Sequence, residues 1–265
     1  VLHRARPGQP DGAHAVPRLG QQRALGEGAD GGVHPGARAE VCAGAAAGCA
    51  ATPRPLLGRL VDYEAHYDRF RNYQRPNAWR EAADPGSGIL FDLGSHLIDQ
   101  AQVLFGLPAS LSADLRMQRD GAQAVDNFTL LLDYGALKVT LKAGMLVRAA
   151  GPRFMLHGTQ GSFVKSGFDP QEAALRRGEI PGASGWGEEP REQWGSISSQ
   201  VGGLEVEGRI ATLPGAYQAF YQNIAAAIRG QAALIVRPEQ ARNTIRIIEL
   251  AVESHAQGRT LPFTL

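Results

Sequence analysis

The feature that most restricts the fold is a run of short apolar and β-branched segments between residues 109 and 166, separated by only a few turn residues. Segments of this kind predict β-strands. The Asp-Tyr-Gly-Ala sequence at 133–136 predicts a tight turn between two of them. Because strands with short connections usually pair antiparallel with their neighbours in sequence, we predict an antiparallel meander with strands within 109–119, 125–134, 136–147, 153–158 and 162–166.

Helical periodicity surrounds these strands. Residues 89–105 place apolar side chains at steps of three and four, after a turn in which Ser87 is a candidate N-cap. Further helices are predicted at 169–178, 216–230 and 238–258, and in the last of them Ala241, Ile245, Ile248 and Val252 mark the expected buried face. Residues 179–205 are predicted to form a loop. We therefore expect an α+β fold, an open and mainly antiparallel sheet with helices packed on one face.

Residues 1–57 differ in composition from the rest of the chain. They contain no Phe, Tyr, Trp, Ile, Met, Lys, Asn or Ser, so they have little large apolar surface to offset the entropy of ordering a backbone. Gly26–Gly31 match the G-x-G-x-x-G pattern, but no strand precedes them and no helix follows, which indicates a chance match. We expect a folded domain over 58–265 and, before it, either a disordered low-complexity arm or a segment translated out of frame.

Charge and hydropathy exclude several partners. The chain has 27 Lys and Arg residues against 26 Asp and Glu residues, which leaves no basic excess to attract nucleic acid or an anionic membrane. No apolar run approaches the roughly 20 residues that cross a bilayer, and the first residues do not resemble a secretory signal. Two cysteines, Cys42 and Cys49, fit a reducing compartment. We therefore expect a cytoplasmic protein.

The segment "SGILFDLGSHLIDQ" (87–100) places Asp92, His96 and Asp99 within an apolar run. On a helix Asp92 and His96 lie one turn apart, so the carboxylate can orient the imidazole and raise its pKa for proton transfer near neutral pH. Gly94, which costs about 1 kcal/mol relative to Ala within a helix, indicates the close approach of a ligand or another chain segment. Two alternatives remain open: a surface pair without function, and a metal site completed by His66 or Asp99.

From residue 58 to 263 the chain resembles the C-terminal domain of the Gfo/Idh/MocA oxidoreductases, closest to the subgroup related to scyllo-inositol dehydrogenases. The resemblance rests on "GRLVDYEAHYDRFR", "WREAADPGSGILFDLGSHLIDQAQVLFGLP", "HGTQGSFVKSGFDPQE" and "RPEQARNTIRIIELAVES". It implies an NAD(P)-dependent dehydrogenase of a sugar, inositol or similar polyol. It also implies that Asp92 and His96 are the catalytic pair, with His96 as general acid/base and Asp92 orienting it. The sheet face would form a homo-oligomer.

Other polar residues near this pair are candidates for substrate binding. Arg69, Arg71 and Arg80 are expected to contact hydroxyl groups, and Trp79 to pack against a sugar face. A solvent-exposed strand end with a packed tryptophan explains the same residues without a substrate. Asp99 is predicted either to bind substrate or to cap a neighbouring loop.

The N-terminus departs from the family pattern. Family members carry an upstream Rossmann domain that binds NAD or NADP, followed by a Lys motif. Residues 1–57 stand where this motif is expected, but they contain no lysine. The lysines of this chain, Lys138, Lys142 and Lys165, all lie far downstream. This favours the out-of-frame explanation of residues 1–57. It also predicts that this chain alone binds no cofactor and is catalytically silent. The alternative function is a non-catalytic binding or oligomerisation module.

Overall fold

The computed structural model describes residues 56–76 and 78–265. The predicted N-terminal arm therefore lies outside the described residues, apart from Leu56 and Leu57, and so does the Gly26–Gly31 pattern. Leu57 is fully buried in the core, and its carbonyl accepts a hydrogen bond from the backbone N–H of Gln160 at 3.0 Å. Leu57 is therefore part of the folded sheet domain, one residue before the predicted domain boundary at 58.

One open sheet organises the described part of the chain, and its strands are mainly antiparallel. The strands are β1 (Leu60–His66), β2 (Ser110–Arg116), β3 (Asn127–Tyr134), β4 (Leu137–Gly144), β5 (Phe154–Gly158), β6 (Gly161–Lys165), β7 (Gly195–Val201), β8 (Leu204–Ile210) and β9 (Leu261–Pro262). Their spatial order is β8-β7-β6-β5-β1-β4-β3-β2-β9, and the β1–β4 pair is parallel. The predicted fold class is confirmed.

Helices cover one face of this sheet. A π-helical turn, Leu90–Gly94, runs directly into α1, Ser95–Phe105. The other helices are α2 (Gln171–Arg176), α3 (Tyr217–Ile228) and α4 (Pro238–Gln257). Alternate strand residues point to the same face, so buried side chains of β1, β3 and β4 meet those of α1 and α4 in one core. This core fixes α1, and with it the segment that carries Asp92 and His96.

The structure corrects two predictions about strand order. The meander is interrupted, because β1 lies between β4 and β5 and pairs with both. The predicted loop at 179–205 contains β7 and the start of β8, which form a hairpin. Gly202 and Gly203 adopt φ values of 62° and 84° at its turn, a region that glycine reaches without steric penalty.

Two predictions about helices are also wrong: the N-cap at Ser87 and the buried face of α4. The Ser87 hydroxyl does not cap a helix but donates to the carbonyl of Trp79 at 2.8 Å. The expected buried face of α4 is partly exposed, since Ile245 and Val252 are 46% and 44% exposed. The buried face instead carries Thr244, Ile247, Ile248, Leu250, Ala251 and Ser254.

Candidate active site

A cavity of about 580 Å³ lies beside α1, at the point where the chain leaves β1. One wall is the extended segment after β1, which carries Tyr67, Arg69 and Arg71. The opposite wall comes from the π-helical turn and α1, and residues around α2 close a third side. The volume falls within the range of about 300–1,000 Å³ that is typical of small-molecule sites.

Asp92, His96 and Gln100 line this cavity from one helical stripe. Asp92 belongs to the π-helical turn, and His96 and Gln100 belong to α1. A Cβ at Gly94 would lie 3.2 Å from Leu90 Cδ1 and 3.4 Å from the Phe128 ring of β3, so this part of the stripe packs closely against its surroundings. The groups near Gly94 are therefore side chains of this chain, Leu90 of the same turn and Phe128 of β3. Insertions of π-helix frequently accompany functional sites.

Asp92 is held by Arg80. The Arg80 Nε and Asp92 Oδ1 atoms are 2.8 Å apart, and the Asp92 side chain is 19% exposed. Gly88 makes this approach possible, because its N–H donates to the Arg80 carbonyl at 3.1 Å. Its φ of 83° and the nearby Val125 backbone leave no room for a side chain. The ion pair thus holds the Asp92 carboxylate at the cavity wall, whereas orientation of His96 by Asp92 stays a prediction.

Gln100 is a polar group that the sequence analysis missed. Its side chain is buried, with the residue only 1% exposed, and neither amide atom has a hydrogen-bond partner among the described residues. An unsatisfied buried polar group costs about 1–3 kcal/mol. Because Gln100 also lines the cavity, its amide is a candidate for substrate binding.

The other predicted substrate-binding residues lie in different places. Arg69 lines the cavity, with its guanidinium carbon 5.2 Å from the centre of the Tyr67 ring. Trp79 is 54% exposed and packs under the Arg80 guanidinium at 4.5 Å, and it is not one of the cavity-lining residues. Asp99 is buried in α1 and likewise does not line the cavity. Binding of substrate by Arg69, Arg80, Trp79 and Asp99 stays a prediction.

Three further arginines of the cavity were not predicted from the sequence: Arg75, Arg153 and Arg176. Arg153 is 4% exposed, and its guanidinium carbon lies 4.0 Å from the Tyr67 ring centre and 5.3 Å from that of Phe168. These residues come from segments far apart in sequence. No local pattern in the chain could have grouped them.

The metal alternative finds no support in the described residues. No group of three or more His, Cys, Asp or Glu side chains there is arranged to hold a metal ion. His66, the proposed third ligand, is bound instead to Asp68 Oδ2 at 2.9 Å and to Glu64 Oε1 at 2.7 Å. The hydrogen bond with Asp68 raises the pKa of His66, and the bond with Glu64 raises it further, against the opposing effect of burial.

Within residues 56–76 and 78–265, none of the helices combines the length and apolar character that a membrane span requires.

Comparison with known proteins gives a family match over almost all of the described residues. Residues 56–264 match the oxidoreductase family, C-terminal alpha/beta domain. The chain is 42% identical over 207 residues to scyllo-inositol 2-dehydrogenase (NADP(+)) IolW of Bacillus subtilis, covering 77% of this chain and 58% of that protein. It is 42% identical over 206 residues to the uncharacterized oxidoreductase YdgJ of Escherichia coli, covering 78% of this chain and 59% of that protein.

A solved structure shares the fold. The oxidoreductase yvaA from Bacillus subtilis superposes with a TM-score of 0.73 at 40% sequence identity, covering 79% of this chain and 59% of that one. The chain therefore spans about three fifths of the length of the curated relatives that it matches.

Proposed function

Since the chain belongs to the Gfo/Idh/MocA family of oxidoreductases, we propose that its cavity is the substrate site of an NAD(P)-dependent dehydrogenase that acts on a sugar, inositol or similar polyol. The observation that carries this proposal is the placement of Asp92, His96 and Gln100 on one wall of a cavity of monosaccharide size. The name of the Bacillus subtilis relative, scyllo-inositol 2-dehydrogenase (NADP(+)), supports the substrate class and the cofactor.

The described residues do not fit a nicotinamide dinucleotide by themselves. Binding of the pyrophosphate requires a strand, a glycine-rich turn and a helix N-terminus in a βαβ unit, and the described sheet contains no such unit. When bound, NAD(P)+ supplies the hydride acceptor. We propose that this acceptor is held by a Rossmann domain of the complete protein, and that residues 58–265 supply the substrate domain.

The chain's own residues would handle the substrate and its proton. His96 would accept the proton of the reacting hydroxyl group as general base. Asp92, fixed by Arg80, would stabilise the positive charge that His96 gains. The Gln100 amide would bind a neighbouring hydroxyl and hold the sugar ring in position, which accounts for a polar group that is otherwise buried without a partner.

Two further parts of the proposal concern assembly and location. The sheet face opposite the helices carries ion pairs between β1 and β4, with Lys142 Nζ 2.6 Å from Glu64 Oε1. We propose that this face joins copies of the chain in a homo-oligomer. The cytoplasm is the proposed compartment.

A hybrid enzyme tests the catalytic proposal. Residues 56–265 replace the matching part of the Bacillus subtilis relative, and the NADP+-dependent oxidation of scyllo-inositol is measured. His96→Gln should lower kcat by about 10²–10⁴-fold, the usual contribution of a general base, with little change in KM. His255→Gln is the matched control, because His255 lies on α4 outside the cavity lining.

Two results would count against the proposal. If the hybrid oxidises scyllo-inositol and His96→Gln retains its full kcat, His96 is not the general base. If the hybrid folds but has no dehydrogenase activity on any polyol, the chain functions instead as the non-catalytic binding or oligomerisation module.

A further inference from the structure

The segment that follows β1 places arginines in the cavity at regular spacing. Its backbone continues along the end of β4, since the Arg69 N–H donates to the Gly144 carbonyl at 2.9 Å and the Arg71 N–H donates to the Met145 carbonyl at 2.7 Å. Alternate residues of extended backbone share a face. Tyr67, Arg69 and Arg71 therefore point to the side that holds the cavity, and Arg75 follows them.

The cavity carries an excess of positive charge. Of the residues that the structure describes, six arginines but only three carboxylates line it. Two of the arginines form ion pairs with carboxylates of the cavity: Arg80 with Asp92 at 2.8 Å and Arg176 with Glu172 at 2.8 Å. Among the described residues, no carboxylate lies within 4.0 Å of the guanidinium groups of Arg69, Arg71 and Arg75.

These three arginines repel one another. Burial lowers the pKa of Arg71, and the charges of Arg69 and Arg75 lower it further. Three guanidinium groups on one side of a partly enclosed cavity are unfavourable unless an anion or solvent compensates them. A carboxylate or phosphate group is the best partner for such groups, since planar guanidinium groups bind these anions through paired hydrogen bonds.

We propose that the substrate of this site is an anionic sugar or polyol, whose carboxylate or phosphate group is bound by Arg69, Arg71 and Arg75 while its hydroxyl groups meet His96 and Gln100. This inference rests on the proposed function and narrows its substrate class. The cavity of about 580 Å³ accommodates a monosaccharide together with one such group. A neutral polyol would leave the arginine cluster without a counter-charge.

Calorimetric titration of the full 265-residue chain tests the proposal at low ionic strength. The probes are D-glucuronate, D-glucose 6-phosphate and neutral D-glucose, together with inorganic phosphate and NADP+. At least one charged sugar should bind about tenfold or more tightly than D-glucose, because charge-assisted hydrogen bonds to arginine are strong. This advantage should shrink as salt is added.

Arg71→Gln should reduce the advantage of the charged sugar to less than about twofold, since it removes the central charge but keeps a polar side chain. Arg148→Gln is the control, because Arg148 packs on Phe70 and does not line the cavity. This variant should retain the full advantage. Far-UV circular dichroism of both variants establishes that each is folded before titration.

The outcomes separate the inference from the proposed function. Equal affinities for charged and neutral sugars would overturn the inference and leave the polyol proposal in place. Binding of NADP+ through Arg71, without preference among the sugars, would assign the arginines to a cofactor phosphate and also overturn it. Phosphate binding that requires Arg71, without any sugar binding, supports the anion subsite and counts against the polyol proposal. No binding of any anion overturns the inference.

Discussion

Replacement of Arg119 tests whether a buried ion network holds the segment that carries Arg75 and Arg80. Arg119 lies in the connection between β2 and β3, and its side chain is only 4% exposed. Its Nε atom is 2.9 Å from Asp126 Oδ2, and an Nη atom is 2.6 Å from Glu81 Oε2. Its guanidinium also donates to the Tyr73 carbonyl at 2.8 Å. One side chain thus joins residues 73–81 to the sheet.

The expected loss of stability follows from the burial of the two acids. The side chains of Asp126 and Glu81 are 1% and 14% exposed, so Arg119→Met leaves two carboxylates without their cation in a place where water cannot replace it. Breaking a buried ion pair in this way costs about 3–5 kcal/mol. Because Asp126 keeps a backbone hydrogen bond from Gln118 at 2.6 Å, we expect the lower part of that range.

Urea denaturation at pH 7 measures this loss. The slope of the free energy of unfolding against urea concentration should be the same in the variant and the parent chain. Arg116→Met is the matched control, because Arg116 is the last residue of β2 and directly precedes this connection. Its ion pair with Asp114 is 60% and 50% exposed, so its loss should cost less than about 1 kcal/mol. If Arg119→Met is no more destabilised than Arg116→Met, the network does not hold this segment, and the position of Arg80 needs another explanation.

Two further predictions concern packing and pH. Gly195→Ala should lower the free energy of unfolding by about 1–3 kcal/mol, because its Cβ would overlap the buried Phe163 ring. Gly208→Ala on the neighbouring strand, where nothing lies within 4 Å, should show no such loss in the same urea measurement. The raised pKa of His66 contributes stability that is complete below the unfolded value of about 6.5 and is lost as the pH rises through the folded value. His66→Gln should therefore flatten the decline of stability above pH 6.5, and an unchanged slope would show that other groups cause it.

Strand positions could be predicted where side chains alternate between core and surface. β3 shows this pattern, with Phe128, Leu130 and Leu132 buried and Leu131 and Asp133 exposed. The β8 sequence, Leu-Glu-Val-Glu-Gly-Arg-Ile, also alternates, but almost all of its residues are exposed at the sheet edge, so its alternation does not mark a core face. It forms because its backbone pairs with β7, and the charged side chains between its apolar residues are typical of an edge strand.

The buried face of α4 could not be read from hydrophobicity because polar residues satisfy their hydrogen bonds inside the core. The Thr244 hydroxyl accepts a hydrogen bond from Gln102 Nε2 at 2.8 Å, and the Ser254 hydroxyl donates to the Arg259 carbonyl at 2.6 Å. Both partners come from outside the helix. A buried polar group with such a partner carries little penalty, so Thr244 and Ser254 face inward while Ile245 and Val252 are left partly exposed.

The candidate site could be predicted in part because Asp92 and His96 lie on one helical segment. On a helix, the number of residues between two side chains determines whether they point in the same direction. The next residue along the cavity wall is Gln100 and not Asp99, and this difference has a geometric cause. In a regular helix of 3.6 residues per turn, Asp99, seven residues after Asp92, returns almost to the same direction. The π-helical turn at Leu90–Gly94 closes i→i+5 bonds, so the backbone turns through a smaller angle per residue. The side chain that again faces the cavity therefore comes one position later, at Gln100 rather than Asp99.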